Sequence, residues 1–571
     1  MKTFHKYILL FCTVISISGC EDYLDVQPES TLGINDFYST TTEAEIALSG
    51  IYSVIASHDV YGVTMSIIME SGTDEGYYNR RFNENWTVGL YRHTASDEDI
   101  RNLWTKLYTA INLCNLFTEQ LKKDSFTETE YNALMAEARF LRAHCYALLV
   151  SWFEEVPMPL ASTKGQSDNN LEASSLETLY GQIIDDFTFA ATYLPGKDTQ
   201  IPGRATNLAA NGLLARVYLK MAGYPLKDTS KYELARQQCD IIIQSGEYGL
   251  NTTNWTQQTN ADGDQYVVVS KDGYRDHFLS YIQSNYDNQE SLFEISYYRL
   301  REVGLVTDGR IGDTNGIPFA LGGSAPGYPS AFAGYNTTSL LRDAYNKVGD
   351  TIRKAWNIAS YRNTGSGDIV AVDEVQQVLT RNFVPAKFRR WEPTDYADLQ
   401  TAGELEPYTI LEQGTIAQNF TNINFPVLRY ADVLLMYAEA DNEVNNGPSA
   451  NAKMYLDQVR NRAALPPIDV ANPAATSSKE AFFNELVEER FRELCFEGLR
   501  KHDLIRWELL DDKLQLLESL IRNDPTFSPT NADHQAFLRS SQFFDVTKHL
   551  SLPYPLQEVQ LNNLLNQKPN W

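Results

Sequence analysis

Apolar residues spaced three and four positions apart dominate this chain and predict amphipathic helices. The clearest stripe lies between residues 134 and 153, with intervals of three, four, three and four between Ala138, Leu141, Cys145, Leu148 and Trp152. Comparable periodicity predicts further helices at 41–57, 97–122, 174–194, 210–221, 229–245, 428–438, 450–463 and 479–498. The hydrophobic pattern is therefore that of a mostly α-helical protein.

Short polar or proline-containing turns join several of these predicted helices, at 123–125, 195–202 and 446–448. Such turns favour antiparallel neighbours, so we expect an array of helix hairpins similar to tetratricopeptide repeats. No fixed period of ~34 residues with the signature positions of that repeat is present, so the array is degenerate or interrupted.

The helical pattern breaks between residues 246 and 425, where Gly, Asn, Tyr and Thr are abundant. Short strand-like runs occur at 266–269 and 292–296. A stretch this long without periodicity is typical of functional loops on a rigid scaffold. We therefore divide the mature chain into an N-terminal helical region (20–245), a loop-rich insertion carrying short strands (246–425) and a C-terminal helical region (426–571).

The first twenty residues have the features of a bacterial export signal. Lys2 and Lys6 precede an apolar stretch at 7–17, which is too short to span a bilayer. Ser18, Gly19 and Cys20 follow it and resemble a lipobox, in which the signal peptide (1–19) is removed and the cysteine thiol is lipidated. The alternative is an ordinary secretory signal with a chance cysteine. No later apolar run reaches ~18 residues, so Cys20 is the predicted membrane attachment.

The charge of the chain excludes one large class of function. The 571 residues include 48 Lys and Arg against 74 Asp and Glu, a formal charge of −26. Phosphate backbones repel so acidic a protein, and no basic patch is evident. We therefore expect no nucleic-acid partner.

Residues that would carry catalysis or bind a metal are not found in recognisable patterns. The sequence has no G-x-S-x-G, H-E-x-x-H or Walker motif. Residues 260–264 weakly resemble a calcium loop, but the turn glycine and the distal glutamate are missing. Cys114, Cys145, Cys239 and Cys495 lie in apolar helical stretches without CxxC spacing, which favours four separate core thiols. We expect no enzyme activity, cofactor or metal.

Six sequence blocks resemble the SusD/RagB-like surface lipoproteins of Gram-negative nutrient uptake. They are CEDYLDV at 20–26, AEARFLRA at 136–143, RATN at 204–207, FPVLRYADVLL at 425–435, EERFRELCFEGLR at 488–500 and LPYP at 552–555. Tyr554 replaces the usual isoleucine and Lys568 the usual asparagine. The blocks follow the family order along nearly the whole chain.

The resemblance implies an oligosaccharide receptor without enzyme activity. Such a protein is lipid-anchored in the outer membrane, faces the cell exterior, and delivers its ligand to a SusC-like TonB-dependent transporter. Glu21 and Asp22, directly after the lipobox cysteine, are similar to the surface-export signal of such lipoproteins.

Candidate ligand contacts lie in two aromatic and polar stretches outside the helical stripes, at 77–86 and 327–335. Sugars present apolar C–H faces ringed by hydroxyls, so flat aromatic rings beside amide and charged groups suit them. The family has no fixed ligand motif, so the candidates are chosen by residue type and position. They are Tyr77, Arg81, Trp86, Tyr328 and Tyr335. The weaker candidates are Trp255, Tyr274, Tyr286 and Trp391.

Three other functions compete with this interpretation. A peptide or glycopeptide receptor of the same architecture would bind through backbone and charge. A surface glycosidase would need two carboxylates ~5–9.5 Å apart across a cleft. A structural lipoprotein would have no ligand. The carboxylates Glu488, Glu489, Glu493 and Glu497 alternate with arginines, which favours an ion-pair network over a catalytic cluster. Arg139, Arg142, Arg429 and Arg490 are likewise expected to pair with carboxylates and join helices.

Overall fold

The computed structural model describes residues 37–78, 87–259, 265–287, 289–297, 309–319, 331–363, 369–371, 384–393, 408–414 and 419–571. The α-helices are α1 (Thr41–Ile55), α2 (Glu98–Gln120), α3 (Glu128–Phe153), α4 (Leu176–Tyr193), α5 (Asn207–Ala222), α6 (Lys231–Ser245), α7 (Gly273–Ile282), α8 (Ser339–Val348), α9 (Thr351–Asn357), α10 (Tyr430–Val444), α11 (Ala450–Arg462), α12 (Ile468–Ala471), α13 (Lys479–Leu494), α14 (Arg500–Arg506), α15 (Leu510–Arg522), α16 (Ala532–Phe543) and α17 (Leu556–Leu561). Two π-helical turns, His58–Gly62 and Thr64–Met69, follow α1.

Strands are short and form two-stranded antiparallel ribbons in the described residues. The strands are β1 (Gly76–Tyr78), β2 (Asn254–Thr259), β3 (Gln265–Lys271), β4 (Ser291–Ile295), β5 (Tyr335–Thr337), β6 (Tyr361–Asn363), β7 (Ile369–Ala371), β8 (Trp391–Pro393), β9 (Tyr408–Ile410) and β10 (Phe425–Arg429). β1 pairs with β5, β2 with β3, β4 with β10, β6 with β7, and β8 with β9. The predicted strands at 266–269 and 292–296 correspond to β3 and β4.

The helices stack side by side in chain order. Each helix from α1 to α6 packs against the next, and α6 then packs against α10, which in turn contacts α11 and α13. The prediction of a mostly helical array of tetratricopeptide-like hairpins is confirmed. Because α6 and α10 are direct neighbours, the residues between them leave the array and return to it.

Side-chain caps explain where several helices begin. Thr40 and Glu43 form a capping box at α1, and Thr127 and Glu130 form another at α3. The carboxylate of Asp97 accepts from two backbone amides at the start of α2. These polar residues satisfy amides that the first helical turn leaves without partners.

One helix is shorter than its periodicity predicts. The apolar pattern suggested 479–498, but α13 ends at Leu494. Phe496 and Gly498 have φ angles of 66° and 68°, in the left-handed region that stops a right-handed helix. This turn lets Glu497 point back into the core.

Where the structure describes it, the insertion between α6 and α10 contains three helices that the periodicity did not predict. α7, α8 and α9 are seven to ten residues long, too short for a helical stripe to stand out. Tyr274, Phe278 and Tyr345 from these helices belong to the same hydrophobic core as the helical array. The insertion is therefore packed into the body of the protein over part of its length.

Buried ion pairs join neighbouring helices, as expected. Arg142 on α3 binds both oxygens of Asp186 on α4, through Nε at 2.8 Å and Nη2 at 2.9 Å. Arg490 on α13 reaches Asp432 on α10 at 2.7 Å. Such pairs are directional, so they fix the register of one helix on the next more specifically than apolar contact does.

The four cysteines of the predicted mature chain that the structure describes are free thiols. Cys114, Cys145, Cys239 and Cys495 are all buried in the core, which confirms the prediction. Burial raises the pKa of each thiol, so these groups are unreactive.

Candidate functional site

A two-stranded ribbon joins the two candidate ligand stretches. β1 and β5 are antiparallel, with Gly76 opposite Thr337 and Tyr78 opposite Tyr335. Residues 79–86 follow directly after β1, and residues 331–334 lead directly into β5. Since one strand leaves the ribbon where the other enters it, both stretches start from the same end. We call this the open end of the ribbon.

Three of the five candidates lie outside the described residues. Arg81 and Trp86 fall within 79–86, and Tyr328 falls within 320–330. Their contacts with ligand stay a prediction.

The two remaining candidates are buried in the protein. Tyr77 is 2% exposed and packs with Leu517 and Ile521 of α15 and Leu538 of α16. Tyr335 is 3% exposed, donates its hydroxyl to Glu75 Oε1 at 3.2 Å and meets the Phe496 ring edge-on. Neither ring presents a face to solvent, so the structure does not support them as stacking platforms for a sugar. The sequence showed their aromatic character but not the helices that cover them.

The base of the ribbon is fixed to the C-terminal helical region. Arg500 on α14 donates to both oxygens of Asp74, at 2.9 and 2.7 Å, and both side chains are buried. Thr337 donates its hydroxyl to the carbonyl of Glu75 at 2.7 Å, and Thr338 donates to that of Asp74. A bidentate pair combined with these hydrogen bonds holds the ribbon in one orientation.

Glu75 has an unusual protonation equilibrium. Burial raises the pKa of its carboxyl to about 7, although Arg500 and a backbone amide favour the charged form. The side chain accepts the hydroxyl of Tyr335. Glu75 therefore titrates near neutral pH directly beneath the ribbon.

Phe332 is an exposed aromatic residue at the open end. Its side chain is 39% exposed. Its backbone amide donates to Asp313 Oδ1 at 3.1 Å, and that of Ala333 donates to the Asp313 carbonyl at 2.8 Å. Arg310 holds the same carboxylate at 2.7 Å. Stacking on a sugar requires an accessible ring, and a fixed backbone lowers the entropy cost of holding that ring in place.

Gly334 allows the aromatic residues at this end to approach each other. A Cβ atom here would lie 2.7 Å from the Tyr78 ring and 2.9 Å from the Phe332 ring. The sequence places Phe332 in the 327–335 stretch but does not distinguish it from its neighbours. The signal that could have identified it is Gly334, which lies between Phe332 and Tyr335.

A small aromatic core supports the loop that carries Phe332. The Trp391 ring lies 5.1 Å, between centroids, from both the Phe319 ring and the Tyr361 ring, and Phe319 forms a β-bridge with Ala331. Trp391 is fully buried, as is Tyr274. Trp255 is half-buried and donates its indole nitrogen to the Asn461 carbonyl at 3.0 Å. Of the weaker candidates, Tyr286 keeps the most exposed ring, at 39%.

The glutamates of α13 and the following turn form an ion-pair network. Glu493 binds Arg429 at 2.7 Å and Arg353 at 2.9 Å, and also contacts Arg462. These cations lower the pKa of Glu493 to about 2 despite its burial. A general acid needs the opposite shift and access to substrate. The geometry therefore supports a structural role for these carboxylates.

The described residues contain neither a metal-binding cluster nor a membrane-spanning helix. No group of three or more His, Cys, Asp or Glu side chains there is arranged to hold a metal ion. Within the same residues, no helix combines the length and the apolar character required to cross a membrane. The calcium-like stretch 260–264 and the lipobox cysteine Cys20 lie outside that part of the chain.

Two family models match the chain at its two ends. The model described as the SusD family matches residues 407–571. The model described as starch-binding and associating with outer membrane matches residues 22–219. The matches cover the two helical regions that the sequence blocks occupy.

Relatives and solved structures are similar along nearly the whole length. A SusD-like protein of Formosa agariphila is 25% identical over 575 residues, covering 97% of this chain and 96% of the relative. The crystal structure of a SusD homologue from Bacteroides thetaiotaomicron has a TM-score of 0.78 at 26% identity, covering 95% of this chain and all of that one.

A third structure, described as a laminarin-binding SusD-like protein, shares the fold. It has a TM-score of 0.65 at 22% identity and covers 94% of this chain and 100% of its own. The matched blocks, the helical array and these full-length similarities agree with one another, and the chain belongs to the SusD/RagB-like family.

Proposed function

We propose that this protein is a cell-surface lipoprotein that binds oligosaccharides and delivers them to a partner TonB-dependent outer-membrane transporter. The observation that carries the proposal is the β1–β5 ribbon, from whose open end both aromatic and polar stretches start. The protein acts as a receptor and not as an enzyme in this proposal, because the carboxylates of the best candidate catalytic cluster are paired with arginines.

The ligand chemistry in this proposal follows from exposed Phe332 and from the residue types in the two stretches that start at the open end. Phe332, with Trp86 and Tyr328, would stack on sugar C–H groups, and Arg81 would donate hydrogen bonds to hydroxyls. Stacking contributes on the order of 1 kcal/mol beyond burial of area, and each hydrogen bond adds a net ~1 kcal/mol. The affinity is therefore expected in the micromolar range or weaker, about −8 kcal/mol at best. Such an affinity suits a receptor that must release its ligand to a transporter.

Similar proteins support this ligand class. The solved structure with a TM-score of 0.65 is described as laminarin-binding, and the model that matches residues 22–219 is described as starch-binding. The same description, associating with outer membrane, supports the proposed location. Lipidation of Cys20 supplies the anchor, since several acyl chains outweigh the repulsion between an acidic protein and anionic lipids.

Calorimetric titration against a panel of plant, microbial and host glycans tests the proposal. Trp86→Ala and Phe332→Ala should each weaken binding of the recognised glycan about five- to tenfold, the loss of one stacking contact. Tyr193→Ala is the matched control, because Tyr193 is an aromatic residue on α4 with 43% exposure. Its removal should leave the affinity unchanged.

Two outcomes would contradict the proposal. Binding of peptides but of no glycan would make the protein a peptide receptor. Equal affinities for the wild type and both loop variants would place the glycan elsewhere. Circular dichroism and thermal melting of each variant separate a loss of contact from a loss of fold.

A further inference from the structure

We propose a second oligosaccharide-binding site, in a groove between α2, residues 157–171 and the C-terminal residues 558–565. The groove has a volume of about 310 Å³, within the range of small-molecule sites. It shares no lining residue with the β1–β5 ribbon. This inference rests on the proposed function, since it assumes a saccharide ligand, but it concerns a different surface of the protein.

Hydrogen bonds hold the proline-rich wall of the groove in place. Tyr108 on α2 donates its hydroxyl to the Pro157 carbonyl at 2.5 Å. Asn115, about two helical turns further on, donates to the carbonyls of Pro159 at 2.9 Å and Ala161 at 3.3 Å. The wall is therefore pre-formed, which reduces the entropy cost of binding.

The C-terminal wall is fixed in a similar way. Asn562 donates its amide to the Leu171 carbonyl at 2.7 Å, and the backbone amide of Asn563 donates to Asn170 Oδ1 at 3.2 Å. Tyr554 donates its hydroxyl to the Glu155 carbonyl at 2.6 Å. Hydrogen bonds therefore tie the C-terminal wall to the wall formed by residues 157–171.

Polar groups that face the groove keep hydrogen-bonding capacity. Asn112 accepts from the Thr163 amide through Oδ1, and Asn169 accepts from the Thr163 hydroxyl. Within the described residues, the Nδ2 group of each has no hydrogen-bond partner. Glu558 also lines the groove. The Trp104 indole donates to its carboxylate, and no described cation lies within ion-pair distance of it. The two amide groups therefore remain as donors for a ligand, and the carboxylate, with more than one lone pair, can still accept from a hydroxyl.

The lining favours a neutral saccharide over other ligands. It consists of Trp104, Thr105, Tyr108, Thr109, Asn112, Asn115, Pro157, Pro159, Ala161, Thr163, Asn169, Leu171, Glu558, Asn562 and Leu565. None of these is cationic, so nothing in the lining offsets the charge of an anion. Amides, hydroxyls and one carboxylate match the hydroxyl rim of a sugar, whereas the Trp104 ring is buried and offers no face to a ligand. A half-buried Tyr108 ring provides the apolar contact.

Two sites on one chain have a consequence for long glycans. A polysaccharide that reaches both sites binds the second without a new encounter from solution, so its apparent affinity exceeds that of a short oligomer. Short oligomers should fill the two sites independently.

The test blocks the groove with a large side chain, and its control variant loses the same kind of side-chain hydrogen bond. Thr109→Trp places a large side chain on the exposed α2 face of the groove. Thr192→Trp on α4 is the matched control, because both threonines are exposed and donate to the carbonyl four residues earlier, at 2.7 and 2.8 Å. In titrations with the glycan that binds the wild type, Thr109→Trp should lower the stoichiometry from two sites to one. Thr192→Trp should keep two sites, and Trp86→Ala should weaken only the site at the open end of the ribbon.

Glu558→Gln should weaken binding at the groove about fivefold, since it removes the charge of one acceptor.

The outcomes separate this inference from the proposed function. A wild-type stoichiometry of one that Thr109→Trp leaves unchanged would overturn the second site while the receptor function stands. Absence of any glycan binding would overturn both. Loss of peptide binding, but not of glycan binding, in Thr109→Trp would make the groove a peptide site and contradict this proposal.

Discussion

At the scale of single residues, aromatic residues with similar sequence surroundings differ in how far they are exposed to solvent. Tyr77, Tyr335 and Phe332 all lie in Gly-rich, polar surroundings, yet only Phe332 presents a ring to solvent. The two tyrosines are covered by α15, α16 and the turn after α13. Cover of this kind comes from residues about 160 positions away for Tyr335 and more than 430 positions away for Tyr77, so residue type alone could not predict it.

A truncation of Tyr77 should act on stability. Tyr77→Ala removes a buried ring from its contacts with α15 and α16, and is expected to lower the free energy of unfolding by roughly 3–4 kcal/mol. Tyr193→Ala, at an exposed aromatic position, should change it by less than about 1 kcal/mol. Urea unfolding followed by circular dichroism measures both. Equal effects would mean that Tyr77 does not hold the ribbon to the helices.

The raised pKa of Glu75 gives stability a dependence on pH. The folded carboxyl has a pKa of about 7 and the ordinary value is 4.5. Between these values the folded state holds a proton that the unfolded state releases, so this contribution to stability is present below pH 4.5 and is lost as the pH rises through 7.

Glu75→Gln should remove that contribution. The variant resembles the protonated carboxyl, so its stability should equal that of the wild type near pH 4.5. At pH 8 the variant should be more stable by roughly 1–3 kcal/mol. Chemical unfolding of both proteins at several pH values checks this. A variant that is less stable at pH 8 would show that the charged form is the favoured one.

At the scale of elements, the long helices were predictable and the short ones were not. The stripes predicted α1 to α6, α10, α11 and α13 to within a few residues, apart from the early start of α3 at Glu128 and the late end of α10 at Val444. α7 to α9 have two or three turns and carry Tyr, Asn and Lys between their apolar positions, which hides the period. Their stability comes from packing on the array and not from local propensity.

Buried charges connect the insertion to α13 and the turn that follows it. Arg353 on α9 binds Glu489 at 2.7 Å and Glu493 at 2.9 Å, and Lys387 binds Glu497 at 2.7 Å. In another pair the insertion supplies the carboxylate: Glu290, just before β4, binds Arg429 of the C-terminal region at 3.1 Å. A buried charge without its partner is strongly destabilising. The insertion therefore depends on the C-terminal helical region.

Residues 246–425 should not fold alone. A fragment that ends at residue 425 lacks the glutamates of α13. It also keeps only the first residue of β10, the strand that pairs with β4. Differential scanning calorimetry of the fragment should show no cooperative transition, whereas the intact chain should show one. A sharp transition from the fragment would make the insertion an independent domain.

At the scale of the whole molecule, the helical array carries the two surfaces that we propose bind glycan, the open end of the ribbon and the groove. Sequence analysis found the stretches 77–86 and 327–335 separately, from their aromatic and polar composition. Neither stretch by itself predicts that the two are joined at the β1–β5 ribbon, because this requires strand pairing between distant parts of the chain. The sequence did not predict the groove, because its lining residues come from three separate segments.

The anchoring of the molecule depends on Cys20. Cys20→Ala should give a soluble or unprocessed protein, because the acyl chains are the proposed membrane attachment. Incorporation of labelled palmitate and globomycin-sensitive processing measure this. A wild-type protein without label would contradict the lipid anchor. Protease treatment of whole cells should remove the protein, and full protection would indicate a periplasmic location.

Photo-crosslinking with the glycan that binds in titration reports directly which residues lie beside the bound sugar. A diazirine-bearing derivative is activated on the protein, and the modified peptides are identified by mass spectrometry. We expect adducts within 79–86 and within 320–334, the stretches that start from the open end of the ribbon, and excess unlabelled glycan should suppress them. Competed adducts that avoid both stretches would contradict this expectation.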